Sequence, residues 1–278
     1  MAAMASAWSY EGMRVVVSGG GGAGMGAATV TELANLGAEI HVLDLKEPPV
    51  DVKSYQSVDL KDPDAAAAAI DTIGGTIHAL FNCAGLPGPP FSDLDTMVVN
   101  FVAMRHLAEL CADRMTDGGA IASISSTAGS GYLANIAKWI PLVTTDGFAA
   151  AKQWCDEHPA EIATGYSPSK EAIIVWTHHA AMDFAARKIR VNCISPGPTD
   201  TPMMPAFEDF AGADLINKFA QGAGRRSRPE EQAYPLIFLN SHAASYVSGE
   251  NFVTDGGTLG ALMTGKLVLS FDVAENLG

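Results

Sequence analysis

A cluster of glycines set between a strand and a helix constrains this chain more than any other feature. Met13–Ser18 is a short β-rich run that feeds directly into GGGGAGMG, residues 19–26. From Gly24 to Leu36 the apolar residues recur at helical spacing, and Gly37 stands where a helix would close. Backbone without side chains at such a junction lets a pyrophosphate approach closely, with helix amides and the helix dipole aimed at its charge. Gly20, Gly24 and Gly26, with Met25 between the last two, give the spacing GxxxGxG. Starting instead from Ser18-Gly19 adds one residue to the loop. Taken alone, the cluster also fits a plain flexible turn. No Lys-Ser or Lys-Thr follows it, so a nucleotide-triphosphate loop is excluded.

The rest of the chain repeats the strand–helix rhythm. Glu39–Leu43 reads as the second strand, ending at Asp44 and Leu45, and Lys61–Ile73 as an alanine-rich helix opened by Asp62-Pro63. Ile77–Asn82 reads as a strand, Asp93–Met115 as a long helix and Ala120–Ser125 as the next strand. Tyr166–Ala186 follows as a helix, Arg190–Ile194 as a strand, Pro229–Asn240 as a helix with Glu230 and Glu231 in its first turn, and Asn251–Thr254 as a last short strand. Such alternation predicts an α/β fold, a Rossmann-type doubly wound parallel sheet with helices on both faces. Right-handed crossovers then bring the strand carboxyl ends, and any ligand, to one edge. A chain of 278 residues suits a single domain spanning residues 1–278. The 39 residues between Ser126 and Tyr166, with Trp139, Pro141, Trp154 and Pro159, exceed what a connection needs. This insertion, about residues 131–163, is expected to be a lid or an interface. The tail, about residues 259–278, carries no motif.

Tyr166-Ser-Pro-Ser-Lys170 sets a phenol and an ammonium four residues apart, on one face of a helix. Free tyrosine titrates near pH ~10 and is a poor base at neutrality. A neighbouring ammonium favours the phenolate, as does an oxidised nicotinamide, so the pair suits proton transfer with a hydroxyl. In isolation the same spacing is more often a surface feature. Its company argues for chemistry: Ser126 ends a strand on the ligand edge, where a hydroxyl can hold a substrate oxygen as charge develops on it. Asn100, in the helix after Asn82-Cys-Ala-Gly85, either holds a water linking Lys170 to solvent or is a satisfied buried amide. Asp44 can accept hydrogen bonds from a ribose diol and would repel a 2′-phosphate, which favours NAD over NADP, although Lys46 is near. Asp59 and Leu60 stand where an adenine ring would be met, with helix capping the other reading of Asp59. Leu86, Leu133, Trp139, Met203, Met204 and Phe207 suggest a roomy apolar pocket for a steroid, terpenoid or aromatic alcohol.

Other classes of function are excluded or disfavoured. A net charge of −14 argues against nucleic acid and anionic membranes, which demand clustered Lys and Arg. The cysteines at 83, 111, 155 and 193 are too dispersed for a zinc knuckle or redox pair. No metal is expected, since His178 and His179 are adjacent on a helix and cannot share a face. The amino terminus lacks a basic segment with an apolar core, and no run approaches the ~18 apolar residues of a membrane span. A cytoplasmic protein is expected.

With these segments in order from about residue 13 to Gly257, the chain resembles the short-chain dehydrogenase/reductase family. The matching pieces are the Gly20–Gly26 loop, Asn82-Cys83-Ala84-Gly85, Asn100, Ile124-Ser125-Ser126, Tyr166 with Lys170, and Pro196-Gly197-Pro198-Thr199-Asp200-Thr201. The resemblance implies a catalytic triad of Ser126, Tyr166 and Lys170, with Asn100 as a fourth, proton-relay member. It further implies that Lys170 hydrogen-bonds the nicotinamide ribose and that Ile194 and Thr199 border the nicotinamide after the fifth strand, with Pro196, Gly197 and Thr201 of the same stretch. Asn82 would structure the sheet, and Ala84 and Gly85 would lie beside the adenosine ribose. Within the family the long insertion and Asn192-Cys-Ile-Ser-Pro-Gly-Pro resemble the bacterial 3α-hydroxysteroid dehydrogenase/carbonyl reductase branch, and coniferyl-alcohol dehydrogenase-like members are similar too. That branch implies a homo-oligomer, dimer or tetramer. The expected activity is NAD-dependent interconversion of a secondary or aromatic alcohol and its ketone. The rivals are an acyl-chain ketoreductase using NADP and a catalytically silent nicotinamide-sensing protein.

Overall fold

The valine run of the first strand sets the layers of the protein, whose computed structural model describes residues 7–268. Strand β1 (Arg14–Ser18) sends Val15 and Val17 to one face of the sheet and Val16 to the other, all fully buried. This is the two-residue period of a strand covered on both sides. β1 pairs with β2 (Glu39–Asp44) and β4 (Ile77–Asn82). β3 (Ser54–Ser57) closes one edge, and β5 (Met115–Ile124), β6 (Arg190–Pro196) and β7 (Asn251–Thr254) extend the other. All pairs are parallel, in the order β3-β2-β1-β4-β5-β6-β7. The order reverses between β1 and β4, so a crevice opens at their carboxyl ends.

One face is covered by α1 (Met25–Asn35) and α10 (Pro229–Asn240), through Val30, Leu33, Leu236 and Ile237. The other is covered by α2 (Pro63–Ile73), α3 (Asp93–Met97), α4 (Met104–Ala112) and α7 (Tyr166–Ala185). Asp62 caps α2 by accepting from the amides of Asp64 and Ala65, so the helix begins at Pro63, not Lys61. The helix expected over Asp93–Met115 is interrupted by a π-helical segment, Val98–Ala103, and stops at Ala112. β5 therefore begins at Met115, ahead of the expected Ala120, with a register shift where Gly118 takes a φ of +89°. β6 runs on to Pro196, beyond Ile194.

Two further helices, α5 (Tyr132–Val143) and α6 (Gly147–Glu157), occupy the insertion before α7. Two short ones, α8 (Met204–Ala211) and α9 (Ala213–Lys218), follow β6, and α11 (Thr258–Met263) follows β7. Of the tail, residues 269–278 lie outside the described residues. No helix among the described residues is long and apolar enough to cross a membrane.

Candidate active site

Tyr166 is delivered by a turn whose backbone only a glycine and a strained threonine supply. Gly165 has a φ of +59°, and a Cβ there would meet Thr96 at 2.9 Å and the Asp93 backbone at 3.0 Å. Thr164, β-branched, is held at φ +74°, and its carbonyl accepts the Tyr166 amide. Such a conformation is costly for a β-branched residue and persists where the surroundings over-determine it. The phenol emerges into a cleft that Ser126 lines beside it. Apolar surroundings push the half-buried phenol up to about 12, against a smaller downward pull from Ser126.

One turn along α7, Lys170 is buried with its Nζ 5.4 Å from the Tyr166 ring centroid. It donates to the Ile124 carbonyl at 2.8 Å, and burial pushes its ammonium down to about 8. The adjacent serines divide their labour. Ser125 is buried and donates to the Lys170 carbonyl at 2.8 Å, pinning α7 to the end of β5. Ser126 lines the cleft, and its Oγ accepts the Ala128 amide at 3.1 Å.

Asn100 lies inside the π-helical segment, a kind of irregularity that recurs at functional sites. Its Oδ1 accepts the Leu86 amide at 2.6 Å, and its Nδ2 donates to the Leu86 carbonyl and to Ser169 Oγ, each at 3.0 Å. Ser169 in turn donates to the Tyr166 carbonyl. Asn100 thus ties the loop after β4 to the first turn of the tyrosine helix. Asn82 joins three strands, accepting from Ser18 and donating to Ser123 and the Met104 carbonyl.

On the β1 side, the glycine loop is packed to contact distance. A Cβ on Gly26 would lie 2.0 Å from the Gly19 carbonyl oxygen, so α1 can approach β1 this closely only with glycine. Gly20 is buried among Val17, Val30 and Val42, and Gly19 carries the positive φ at the end of β1, +71°. Gly24 caps α1 without a side-chain bond, and no acidic residue stands in its first turn. The amides next to Met25 are thus left for an anion, and a dinucleotide pyrophosphate fits there. Asp44 accepts the amides of Gly21 at 2.8 Å and Lys46 at 2.9 Å, which fixes its carboxylate at the end of β2 beside exposed Leu45. Asp59 is exposed and accepts the Lys61 amide, whereas Leu60 packs into the core; the helix cap is Asp62, not Asp59. Ala84 and Gly85 follow β4, with Gly85 against Asn100 and Lys170. Across the crevice Pro196 ends β6, and Thr199 donates to the Gly197 carbonyl and meets Ser227; both line the cleft, as do Gly197 and Thr201.

The cleft has a volume of about 1380 Å³ with its open mouth included. Met203, Met204 and Phe207 line it as the sequence suggests, and the Phe207 ring stands edge-on to Tyr166 at 4.8 Å. Phe210, Ile216 and Phe219 join them, without any motif in the sequence to mark them. Leu86, Leu133 and Trp139 do not line it, and the insertion is not its lid. Trp139 is fully buried and donates to Glu171 Oε2 at 2.7 Å, because α5 packs its indole against α7; Leu133 lies on the outer face of α5, largely exposed. Leu86 is held by its backbone to Asn100. Among the described residues no group of His, Cys, Asp or Glu side chains is disposed to hold a metal.

Residues 14–139 match the family model described as short chain dehydrogenase, and residues 150–258 match one described as enoyl-(acyl carrier protein) reductase. The chain is 31% identical to 3-alpha-hydroxysteroid dehydrogenase/carbonyl reductase of Comamonas testosteroni, over 88% of this chain and 96% of that protein. It is 29% identical to coniferyl-alcohol dehydrogenase of Pseudomonas sp. (strain HR199 / DSM 7063), over 88% of this chain and 95% of that one. Among solved structures, 3-alpha-hydroxysteroid dehydrogenase from Pseudomonas sp. B-0831 complexed with NADH superposes with a TM-score of 0.75 at 25% identity, covering 92% of this chain and all of that one. A further structural neighbour is complexed with NADPH.

Proposed function

The chain belongs to the short-chain dehydrogenase/reductase family, and from that premise we propose that it is an NAD-dependent enzyme interconverting a bulky, apolar secondary or aromatic alcohol with its ketone. Membership makes it an oxidoreductase of alcohols and ketones that uses a nicotinamide cofactor. The observation that carries the finer reading is the Ser126–Tyr166–Lys170 arrangement at the floor of an apolar cleft.

In the oxidative direction Ser126 hydrogen-bonds the substrate hydroxyl and steadies its oxygen. Tyr166, as phenolate, takes the hydroxyl proton. Lys170, fixed to the Ile124 carbonyl, supplies the positive charge that offsets the cost of that phenolate. A nicotinamide held here would supply the hydride chemistry at the carbinol carbon in either direction. Asn100 holds the backbone on which a water could pass the proton from Lys170 outward, its side chain being committed to Leu86 and Ser169.

The cofactor would lie from Asp59 and Leu60 at the adenine end, past Asp44, Leu45, Ala84 and Gly85 at the ribose, over Gly20, Gly24, Met25 and Gly26, to Pro196, Gly197, Thr199 and Thr201 at the nicotinamide. Asp44 favours NAD because its carboxylate suits a ribose diol and repels a 2′-phosphate. Edge strand β7 exposes Phe252 and Val253, which supports assembly of this chain into a homo-oligomer through that edge. We place the protein in the cytoplasm.

The test is the appearance of reduced nicotinamide by absorbance, with NAD⁺ and NADP⁺ compared across steroid, terpenoid, aromatic and short-chain alcohols. NAD⁺-dependent signal with a bulky alcohol is expected. Turnover of small polar alcohols alone would remove the substrate reading, and a preference for NADP⁺ would remove the role of Asp44. Silence with both, from protein that binds one by calorimetry, would leave a nicotinamide-sensing protein.

A further inference from the structure

The roof over the cleft is poorly rooted in the hydrophobic core. α8 buries only Met204, α9 buries none of its residues, and the two helices pack chiefly on each other. Gly212, at φ +84°, joins them. Yet this segment presents Phe207, Phe210, Ile216 and Phe219 to the cleft and sets a ring against the catalytic phenol. Something other than apolar burial has to hold it in place.

Arg226 reaches three successive pieces of the roof. Its guanidinium donates to Asn217 Oδ1 on α9 from Nε at 3.0 Å and from Nη2 at 2.8 Å. It also donates to Glu208 on α8 and lies 3.7 Å from Asp200 in the loop after β6. The side chain is 18% exposed, so these charges are only partly screened. Its own footing is firm: Arg225 donates to the Arg226 carbonyl at 3.0 Å and forms two 2.7 Å bonds with Glu231 in the first turn of α10. α10 in turn packs on α1 and β5 in the core. A rigid helix is thus linked, through two arginines, to two loose ones. The groove under Arg226 is also lined by Ala23 and Gly24 of the glycine loop, so the clamp stands at the junction of the cofactor cradle and the roof.

We infer that Arg226 is a positioning residue that clamps the α8–α9 roof over the catalytic cleft and thereby sets which bulky substrates gain a hold there. The selectivity half of this inference rests on the alcohol-oxidising reading above; the clamp itself does not. With Arg226 removed, Glu208 and Asp200 repel each other across the gap and Asn217 loses its donor, so the roof opens more often. Wide substrates that depend on its apolar face then lose more than narrow ones held mainly by Ser126 and Tyr166.

The experiment is amide hydrogen exchange read by mass spectrometry on the full, ligand-free protein, comparing wild type with Arg226→Met, Arg226→Lys and Glu208→Gln. Residues 204–219 of Arg226→Met should exchange about ten-fold faster or more, the scale of one lost charge-assisted bond, while 166–185 and 229–240 stay within about two-fold. Lys and Gln should give intermediate effects, and about 0.5 M NaCl should speed the same segment in wild type by screening the pair. Unchanged exchange in 204–219 overturns the clamp. Should Arg226→Met fail to fold, the Glu208→Gln and salt arms decide. With NAD⁺, KM for decahydro-2-naphthol should rise about five-fold or more in Arg226→Met, while KM for cyclohexanol and affinity for NAD⁺ change less than about two-fold. Equal effects on both alcohols overturn the selectivity claim. If wild type oxidises neither alcohol, the proposed activity fails at those probes while the exchange data still decide the clamp.

Discussion

Residues 127–165 and residues 197–228 both leave the sheet at a strand carboxyl end and both carry two α-helices, the first leading into α7 at Tyr166 and the second into α10 at Pro229. The first is bolted to the core. Arg105, buried on α4, donates to Thr145 and to the Leu142 carbonyl at the end of α5. Glu171, buried on α7, accepts from Asn135 and from the fully buried Trp139. The second has one buried side chain in its two helices and hangs on Arg226, while facing the cleft with Met203, Met204 and Phe207. The first therefore fixes the frame that aims Tyr166 and Lys170, and the second shapes what they meet. Low local burial is what allows a segment to move over a ligand, and high local burial is what a catalytic helix needs.

The strongest test of that division removes the group both segments converge on. Tyr166→Phe should lower kcat about 10³-fold or more, the scale of general acid–base catalysis with activation, while leaving the affinity for NAD⁺ and the thermal transition near wild type. Steady-state kinetics and calorimetry read both. Turnover within ten-fold of wild type would show that the phenol is not the proton acceptor, and the frame would lose its purpose.

Lys170 belongs to the bolted frame and should reveal it through pH. Its ammonium is pushed below the ordinary lysine value to about 8, so its contribution to stability is present above the unfolded value near ~10.4 and is lost as pH falls through about 8. Tyr166 runs the other way: raised to about 12, its contribution is intact below pH ~10 and lost as pH climbs through about 12. Between pH 8 and 10 only the lysine changes. Lys170→Met should therefore melt higher than wild type near neutral pH, by an amount equivalent to a few kcal/mol at most, and the gap should narrow toward pH 10. A gap that stayed constant across this range would mean that the ammonium is solvated in the ligand-free protein.

The frame's first bolt is weaker but separable. Trp139→Phe keeps most of the apolar volume and removes one bond to a buried carboxylate, which costs about 1.5–3 kcal/mol. For a chain of this size that lowers the melting temperature by several degrees. A transition unmoved in differential scanning calorimetry would show that Asn135 alone satisfies Glu171.

How far the sequence carried these distinctions depends on where the signal was local. Helix α10, Pro229–Asn240, and strands β4 and β7 were readable to the residue, because caps, β-branched runs and turn residues bracket them. The placement of Tyr166 and Lys170 on one helix, and of Ser126 just past a strand end, was readable because both are local facts. The extra length before Tyr166 was readable too, but not where it goes. A tryptophan in an insertion looks equally like a cleft wall and like core, and only the buried Glu171 opposite Trp139 decides. The same holds for the interruption at Val98–Ala103, which no residue type announces, and for Thr164, whose positive φ is imposed by the surroundings. Arg226 reads as one of three arginines in a polar run, and its role exists only once α8 and α9 fold beneath it.

The smallest expected effect bears most directly on the contrast between the segments. Phe207 is half-buried on the loosely held roof, with its ring on Tyr166. Truncating a core aromatic ordinarily costs about 3–5 kcal/mol, but α8 is hardly part of the core, so Phe207→Ala should move the melting temperature by no more than about 1 °C. Its effect should fall on binding: KM for a wide alcohol should change about ten-fold, the worth of one aromatic contact, with kcat nearly preserved. A large drop in melting temperature would show that the roof is a second bolted frame. A fall in kcat without a change in KM would assign the ring to shielding the phenol from water, which would move Phe207 from the substrate wall into the catalytic floor.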